Sequence, residues 1–212
     1  MIIGITGGIG SGKSTIARAL AARGYAVYDC DREAKRIIAE NKAVQQQIIN
    51  LFGEKSFING IYNTQYISKC VFSPSLQGRS GEALLAQLNA IVHPAVKEDI
   101  LSLPSTGRLG GAPFLFLESA ILYEAGLDAI CDKIFVIEAP EDIRIARTIA
   151  RDYHGDASPE NIDKVRARIR AQHDQSTIKR PCRVTINQST ILLNDGRKSI
   201  EELAEEIIAL LH

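Results

Sequence analysis

Short runs of apolar residues alternate along the chain with longer stretches in which apolar and polar residues recur at helical spacing. Five runs, rich in aliphatic and aromatic residues, are predicted to be buried strands: 2–5, 25–28, 114–117, 134–137 and 190–193. Residues 199–211 are predicted to form an amphipathic helix with Ser199 as its cap and Glu202 at its third position. Because strands that alternate with helices form parallel sheets, the pattern predicts a three-layer α/β/α fold around a five-stranded parallel sheet.

Two stretches depart from this alternation. Residues 32–103 are predicted to be several helices separated by glycine-containing turns, a segment too long for one crossover between strands. Within it, the pair His93-Pro94 predicts a helix boundary, because a residue before proline disfavours the helical conformation. Residues 141–175 are predicted to be two arginine-rich helices, the second with Ser158 as its cap and Pro159 at its first position. The chain therefore adds two helical segments to its sheet.

Composition narrows the function classes only slightly. The 212 residues include 25 Lys and Arg and 25 Asp and Glu, so net charge gives no reason to expect nucleic acid or an anionic membrane. No apolar run approaches the ~20 residues of a membrane-spanning helix, and a strand that begins at Ile2 leaves no room for a signal peptide. The four cysteines are widely spaced, which argues against a metal site or disulfides. A cytoplasmic protein is the expectation.

The most specific pattern follows the first predicted strand. Residues 7–14 match the phosphate-binding loop G-x-x-x-x-G-K-[ST], in which glycines let backbone N–H groups turn towards phosphate. Lys13 would bring its charge to the β- and γ-phosphates, and the Ser14 hydroxyl would bind Mg²⁺. The pattern predicts a P-loop NTPase that binds a nucleoside triphosphate and Mg²⁺. Its candidate nucleotide-binding residues are Gly8, Ile9, Gly10, Ser11, Gly12, Lys13, Ser14 and Thr15.

Two carboxylates, Asp29 and Asp31, stand directly after the second predicted strand. Ligands of open α/β sheets bind at the carboxyl ends of strands, so both are predicted to lie beside the phosphate loop. Alternation along an extended chain would point them to the same side. Asp29 would then approach Mg²⁺ through water, and Asp31 would face an acceptor hydroxyl as a general base. Alternatively, Asp31 caps the helix that follows.

Arg144, Arg147 and Arg151 are spaced by three and four residues, so they form one stripe on the first arginine-rich helix. Two interpretations remain open. The stripe is either an exposed face paired with Glu141 and Asp142, or a phosphate clamp on a lid that closes over the nucleotide and excludes water.

The turn Asn194-Asp195-Gly196 follows the last predicted strand. Turn chemistry alone explains these residue types. Asn194 and Gly196 are also candidates for contact with the adenine of the nucleotide, because backbone at this place in nucleotide kinases often lies against the base.

Together these motifs resemble the dephospho-coenzyme A kinase family over nearly the whole chain. The residues that carry the resemblance are 5–14, Asp29-Cys30-Asp31 where the family usually has Asp-Ala-Asp, Ile91-Val92-His93-Pro94, Asp132-Lys133 with the strand 134–137, Arg147-x-x-x-Arg151-Asp152, Ile169-x-x-Gln172 and the turn 194–196. The resemblance implies a nucleotide-binding core (1–31, 104–140 and 176–212), a helical acceptor domain (32–103) and a helical lid (141–175).

The resemblance also implies a reaction in coenzyme A biosynthesis, in which the γ-phosphate of ATP is transferred to the ribose 3′-hydroxyl of dephospho-coenzyme A. By matching position, Asp31 would be the base, and Ser14 would hold Mg²⁺. Lys13, Arg147 and Arg151 would stabilise the phosphoryl group. The implied partner is the small-molecule acceptor, without nucleic acid or membrane, and the protein would be a monomer or a small homo-oligomer.

Three positions depart from the family pattern. In the motif 118–124, which is implied to contact the acceptor, Glu118 replaces the usual aspartate and the usual proline is absent. Thr64 stands where an arginine is expected in the acceptor domain. Residues 177–189 form a longer segment than usual before the last strand.

Two alternative functions fit parts of the sequence. The first is another P-loop kinase, acting on a nucleoside monophosphate or a small alcohol. The insertion 32–103 favours a bulkier acceptor. The Asp-x-Asp motif favours a hydroxyl acceptor, because a phosphate acceptor is already an anionic nucleophile and needs no general base. The second is a P-loop switch or assembly ATPase. Asn41-Lys42 is not followed by the rest of the guanine-specific Asn-Lys-x-Asp motif, and the sequence suggests no partner surface for a switch.

Overall fold

The computed structural model describes residues 1–72, 80–107, 109, 111–172 and 189–212. The segment 177–189, predicted to be longer than usual, lies outside the described residues apart from Ser189. The chain forms two compact units, Met1–Asp29 with Leu109–His212 and Cys30–Arg108. The helices predicted to form a lid belong to the first unit, and the division into core, acceptor domain and lid stays a prediction. Of the helices in the described ranges, none is both long and apolar enough to cross a membrane.

The strands and helices are, in chain order, β1 (Ile2–Thr6), α1 (Lys13–Ala22), β2 (Ala26–Asp29), α2 (Cys30–Glu40), α3 (Lys42–Phe52), β3 (Phe57–Ile58), β4 (Ile61–Tyr62), α4 (Thr64–Val71), α5 (Gly81–Ser102), β5 (Leu115–Glu118), β6 (Lys133–Glu138), α6 (Glu141–Asp152), α7 (Pro159–Ala171), β7 (Ser189–Leu193) and α8 (Ile200–Ala209).

A five-stranded parallel sheet is the centre of the first unit, in the order β2-β5-β1-β6-β7, and confirms the predicted sheet. Its strands are apolar runs because helices cover the sheet and bury their side chains. Ile5, Phe116 and Phe135 are fully buried beside residues of α1 and α8. Since β1 lies between β5 and β6, the loop that follows it leaves the middle of the carboxyl edge, where α/β sheets bind ligands.

The second unit contains α2 to α5 and a two-stranded hairpin, β3–β4, that the sequence interpretation did not include. The hairpin lies within the segment 32–103, which the sequence predicts to be helices separated by glycine-containing turns. Asn59 and Gly60 have φ angles of 52° and 78° at the tip of the hairpin. An Asn-Gly pair between apolar residues is a strong hairpin signal, because tight hairpin turns need positive φ at both central positions.

The predicted helix boundary at His93-Pro94 is wrong, since α5 runs through both residues. Proline has no N–H for the preceding turn and costs a helix interior about 3 kcal/mol. The helix continues because Val92, Val96 and Ile100 lie on one face and are buried. Burial of a face over many turns outweighs one missing hydrogen bond, each apolar side chain contributing roughly 1.5–3 kcal/mol.

The predicted cap of the last helix is confirmed. The Ser199 hydroxyl accepts a hydrogen bond from the Glu202 N–H at 3.1 Å, and the Glu202 carboxylate accepts one from the Ser199 N–H at 2.6 Å. The predicted cap at Ser158 is wrong, because Ser158 precedes α7 but its side chain makes no capping hydrogen bond.

We expect Ser199→Ala to lower the free energy of unfolding by about 1 kcal/mol, because the Glu202 N–H loses the Ser199 hydroxyl that accepts its hydrogen bond. Ser158→Ala is the matched control and should change stability by a few tenths of a kcal/mol, since no capping bond is removed. Urea denaturation of both variants measures the difference. Equal losses would show that the Ser199 bonds contribute nothing beyond the cap position itself.

Candidate active site

The phosphate loop joins the end of β1 to the start of α1. Gly7, Gly10 and Gly12 have φ angles of 154°, 76° and 94°. At Gly10 and Gly12 these angles belong to the left-handed region, which residues with a side chain rarely adopt. Lys13 is the first residue of α1, so the loop N–H groups and the positive end of the helix share one place.

Three glycines of the loop, Gly8, Gly10 and Gly12, lie close against groups from distant parts of the chain. A Cβ on Gly8 would meet the Arg144 guanidinium, and one on Gly10 would meet the Arg144 backbone. A Cβ on Gly12 would meet the side-chain amide of Asn194. At Gly10 both the neighbouring backbone and the positive φ angle therefore require glycine, and at Gly12 the positive φ angle favours it. At Gly8 a Cβ would have to displace the Arg144 guanidinium.

The loop's lysine and serine share one buried carboxylate, Glu118. Ser14 Oγ donates a hydrogen bond to Glu118 Oε1 at 3.0 Å, and Lys13 Nζ lies 3.7 Å from the same oxygen. Glu118 is 7% exposed at the carboxyl end of β5, the strand beside β1. The resemblance implied an acceptor contact for this motif, whereas the structure places its first residue in the phosphate site.

The position of Glu118 follows the rule that the sequence interpretation applied to Asp29, because both residues end a buried parallel strand. Asp29 is the register neighbour of Glu118 across β2 and β5. The position of Glu118 at the carboxyl end of the third predicted strand could therefore have predicted its place in the site.

Asp31 is the second residue of α2, which begins at Cys30 directly after β2. The predicted extended alternation of Asp29 and Asp31 is wrong, because the chain turns from strand to helix between them. Asp29, not Asp31, precedes the helix, and Asp31 lies in its first turn, where a carboxylate interacts favourably with the helix dipole. Arg36 of the same helix forms an ion pair with Asp99 of α5 at 2.9 Å. It also pairs with Glu33, one turn earlier in α2, at 2.6 Å.

Arg147 and Asn194 form a hydrogen-bonded brace behind the loop. Asn194 is 2% exposed, and its Nδ2 donates to the Ser11 carbonyl at 2.8 Å. Arg147 donates to Asn194 Oδ1 at 3.1 Å, to the Asn194 carbonyl at 3.2 Å and to the Ser11 carbonyl at 3.4 Å. The turn that was predicted to contact adenine thus also supports the phosphate loop from within the protein.

Arg151, the third member of the arginine stripe, is held by its neighbour Asp152. Asp152 accepts from Arg151 Nε at 2.6 Å and from Arg168 of α7 at 2.8 Å. Hydrogen bonds from Arg151 and then Arg168 hold the pKa of Asp152 well below its usual value. Asp152 therefore links α6 to α7 electrostatically, in addition to the apolar contact of Ile149 with Val165 and Ile169.

Thr15 and Gly196, the remaining predicted nucleotide-binding residues, lie at the edges of the site. Thr15 Oγ1 accepts a hydrogen bond from Arg18 at 3.2 Å. Gly196 has a φ angle of 87° in the turn after β7, and Asp195 Oδ1 accepts from the Arg197 N–H at 3.0 Å. The chemistry of a turn thus accounts for the local conformation, and nucleotide contact stays a prediction.

The donor atoms near the loop suit Mg²⁺. Ser14 and Glu118 offer a hydroxyl and a carboxylate, the oxygen ligands that Mg²⁺ prefers, and Asp29 stands next to Glu118 in the sheet register. In the described part of the chain no three His, Cys, Asp or Glu residues group closely enough to hold a metal by themselves. Mg²⁺ commonly needs only one or two protein carboxylates, because substrate phosphates and water supply its other ligands.

A glycine loop after the central strand of a parallel sheet, with a carboxylate beside its lysine and serine, defines a P-loop NTPase. The family model described as dephospho-CoA kinase matches residues 1–195. The chain belongs to the dephospho-CoA kinase family, which confirms the resemblance inferred from its motifs.

One curated relative and two solved structures resemble the chain over nearly its whole length. A dephospho-CoA kinase from Bacteroides fragilis is 34% identical over 211 residues, covering 99% of this chain and 92% of that protein. The crystal structure of TT1252 from Thermus thermophilus is 33% identical, with a TM-score of 0.72 over 100% of this chain and 96% of that one. The dephospho-CoA kinase from Campylobacter jejuni, 20% identical, shares the fold with a TM-score of 0.63 over 99% of this chain and 96% of that chain.

We expect Asp152→Asn to lower the free energy of unfolding by roughly 0.5–1 kcal/mol at neutral pH, because its arginine partners are largely exposed. A carboxyl whose pKa is lowered in the folded state contributes stability above its unfolded pKa of about 3.9. The difference between the protein and the variant should therefore be constant above about pH 5 and shrink as the pH falls below about 4.

Urea denaturation between pH 3 and 8 measures this difference. Asp163→Asn is the matched control, because Asp163 is an exposed carboxylate of α7 that lies 3.7 Å from Arg166. A difference that does not change with pH would show that Asp152 stabilises the helix pair without its charge.

Proposed function

We propose that this protein transfers the γ-phosphate of ATP to the ribose 3′-hydroxyl of dephospho-coenzyme A, giving coenzyme A and ADP. Membership of the dephospho-CoA kinase family supports the substrates. The observation that carries the chemistry is the Glu118 carboxylate against Lys13 and Ser14 of the phosphate loop. This contact places the Lys13 ammonium group, which would bind phosphate, beside Ser14 and Glu118, the proposed metal ligands.

The loop N–H groups and Lys13 bind the β- and γ-phosphates in this proposal. Their positions are fixed before ATP arrives, since α1 and the close packing around the glycines hold them. Donors that are already oriented stabilise charge on the transferring group without reorganising during the reaction.

Ser14 and Glu118 would hold Mg²⁺ directly, and Asp29 would bind one of its waters. When bound, Mg²⁺ neutralises charge on the β- and γ-phosphate oxygens. Glu118 also pairs with Lys13, so the buried carboxylate has a cationic partner.

Asp31 accepts the proton of the 3′-hydroxyl as the oxygen attacks the γ-phosphorus. A P–O bond forms to the ribose, the bond to the bridging oxygen of ADP breaks, and ADP leaves with the electron pair. Arg147 and Arg151 would stabilise the phosphoryl group by exchanging present partners for phosphate oxygens. Those partners are the Ser11 carbonyl and Asn194 for Arg147, and Asp152 for Arg151.

The acceptor would bind to the unit Cys30–Arg108, whose helices correspond to the predicted acceptor domain. The proposed setting is the cytoplasm, with the protein as a monomer or a small homo-oligomer and without nucleic acid or membrane as a partner.

The proposed function is tested by measuring ADP release from Mg-ATP with and without dephospho-coenzyme A, and by the mass of the product. We expect acceptor-dependent turnover and a product heavier by one phosphate. ATP binding without acceptor-dependent turnover would overturn the proposed reaction, and a panel of nucleosides and small alcohols would follow.

We expect Asp31→Asn to reduce kcat by about 10²–10⁴-fold while the Kd for ATP stays unchanged, because general-base catalysis contributes on that scale. Glu40→Gln is the matched control, since Glu40 is an exposed carboxylate on the same helix. Steady-state kinetics and ATP calorimetry measure the two quantities. A near-normal kcat in Asp31→Asn would show that Asp31 is not the general base and acts only through its interaction with the helix dipole.

We expect Glu118→Gln to raise the Mg²⁺ concentration for half-maximal activity by about tenfold or more, since an amide is a weaker metal ligand than a carboxylate. The measurement is turnover against free Mg²⁺ at fixed ATP, with the exposed Glu54→Gln as control. An unchanged Mg²⁺ dependence would remove Glu118 from the metal site.

A further inference from the structure

One residue of the phosphate loop, Ile9, is held on both sides by side chains of the arginine-rich helices. Its N–H donates to Gln172 Oε1 at 2.5 Å, and its carbonyl accepts from Arg144 Nε at 2.8 Å. A backbone N–H can only donate, so the Gln172 atom that faces it is the oxygen, and the orientation of this amide is settled.

The surroundings of Ile9 explain why outside support matters there. Its neighbours are Gly8 and Gly10, which have no side chains to anchor the loop. Glycine loses more conformational freedom on ordering than any other residue. The missing Cβ of Gly8 also leaves space for both partners, because it would lie against the Arg144 guanidinium and 3.3 Å from Gln172 Oε1.

Gln172 is itself well fixed. It directly follows α7, and its N–H donates to the Arg168 carbonyl at 3.2 Å. The last turns of α7 pack against α6 through Val165 and Ile169, which are 0% and 8% exposed. The side-chain oxygen is therefore presented from a backbone that the core of the helix pair holds in place.

We propose that Gln172 is a positioning residue for ATP binding, which orients the Gly8–Ile9 peptide of the phosphate loop. Together with Arg144 it fixes the peptide groups on either side of Ile9, so the loop is ordered before the nucleotide arrives. A glutamine suits this place because it accepts a hydrogen bond without adding negative charge beside the triphosphate. Only the predicted effect on turnover rests on the proposed function. The effect on ATP binding can be measured independently of it.

The decisive variant is Gln172→Met, which keeps the length of the side chain and removes the acceptor. We expect a rise of about tenfold in both the Kd and the KM for ATP, the scale of one net hydrogen bond. At saturating ATP kcat should stay within twofold, because bound phosphates then order the loop. The KM for dephospho-coenzyme A should not change. Gln47→Met, an exposed glutamine on α3, is the matched control and should leave all values unchanged.

Gln172→Glu separates the hydrogen bond from charge. Its carboxylate still accepts from the Ile9 N–H, so hydrogen exchange of that amide should stay slow, whereas Gln172→Met should make it faster. The added charge should weaken ATP binding in a salt-dependent manner, because repulsion of the phosphates is screened by salt. Arg144 is the cation that faces both the introduced carboxylate and Gly8, and it would offset part of that repulsion.

Two results would overturn the proposal. One is a Gln172→Met protein whose Kd for ATP and Ile9 amide exchange equal those of the unchanged protein. The other is a loss confined to kcat, which would make Gln172 a participant in the reaction and not in loop order. Calorimetry with ATP alone keeps this test separate from the proposed function, because it needs no acceptor. Circular dichroism of each variant establishes that it is folded before binding is compared.

Discussion

The phosphate loop must hold its N–H groups in place although half of residues 7–14 are glycines without side chains, and much of the first unit is arranged around that constraint. Gly10 and Gly12 adopt positive φ angles, and Gly8, Gly10 and Gly12 have neighbours where a Cβ would stand. A loop so rich in glycine is conformationally expensive to order. Its order comes from hydrogen bonds that reach it from α6, the end of α7 and the turn after β7.

These supporting contacts come from parts of the chain that are remote in sequence. Ser11 is separated from Asn194 by 183 residues, and Ile9 from Gln172 by 163. The parallel sheet makes such meetings possible, because β6 and β7 follow β1 in the sheet order and deliver their following segments to the same edge. The arginine-rich helices consequently support the phosphate loop themselves, because their arginines donate to the protein's own carbonyl and carboxylate oxygens.

Glu118 shows how a departure from a family pattern can be compatible with the site. Its carboxylate lies at the carboxyl end of β5 and reaches both Lys13 and Ser14. A glutamate is one methylene longer than the usual aspartate, yet it supplies the same ligand type to a cation. The buried position makes the pairing with Lys13 important, because an unpaired charge there would be costly.

The sequence by itself determined the five strands, the phosphate loop, the two arginine-rich helices and the capping box at Ser199, because each depends on local spacing or residue type. It also determined the family. Tertiary structure decided what local rules could not. Burial along one face carries α5 through Pro94, and the early start of α2 separates the directions of Asp29 and Asp31. Strand order brings Glu118 to Ser14, and helix packing brings Gln172 to Ile9. These outcomes depend on contacts between distant segments, whose energies no short window of sequence contains.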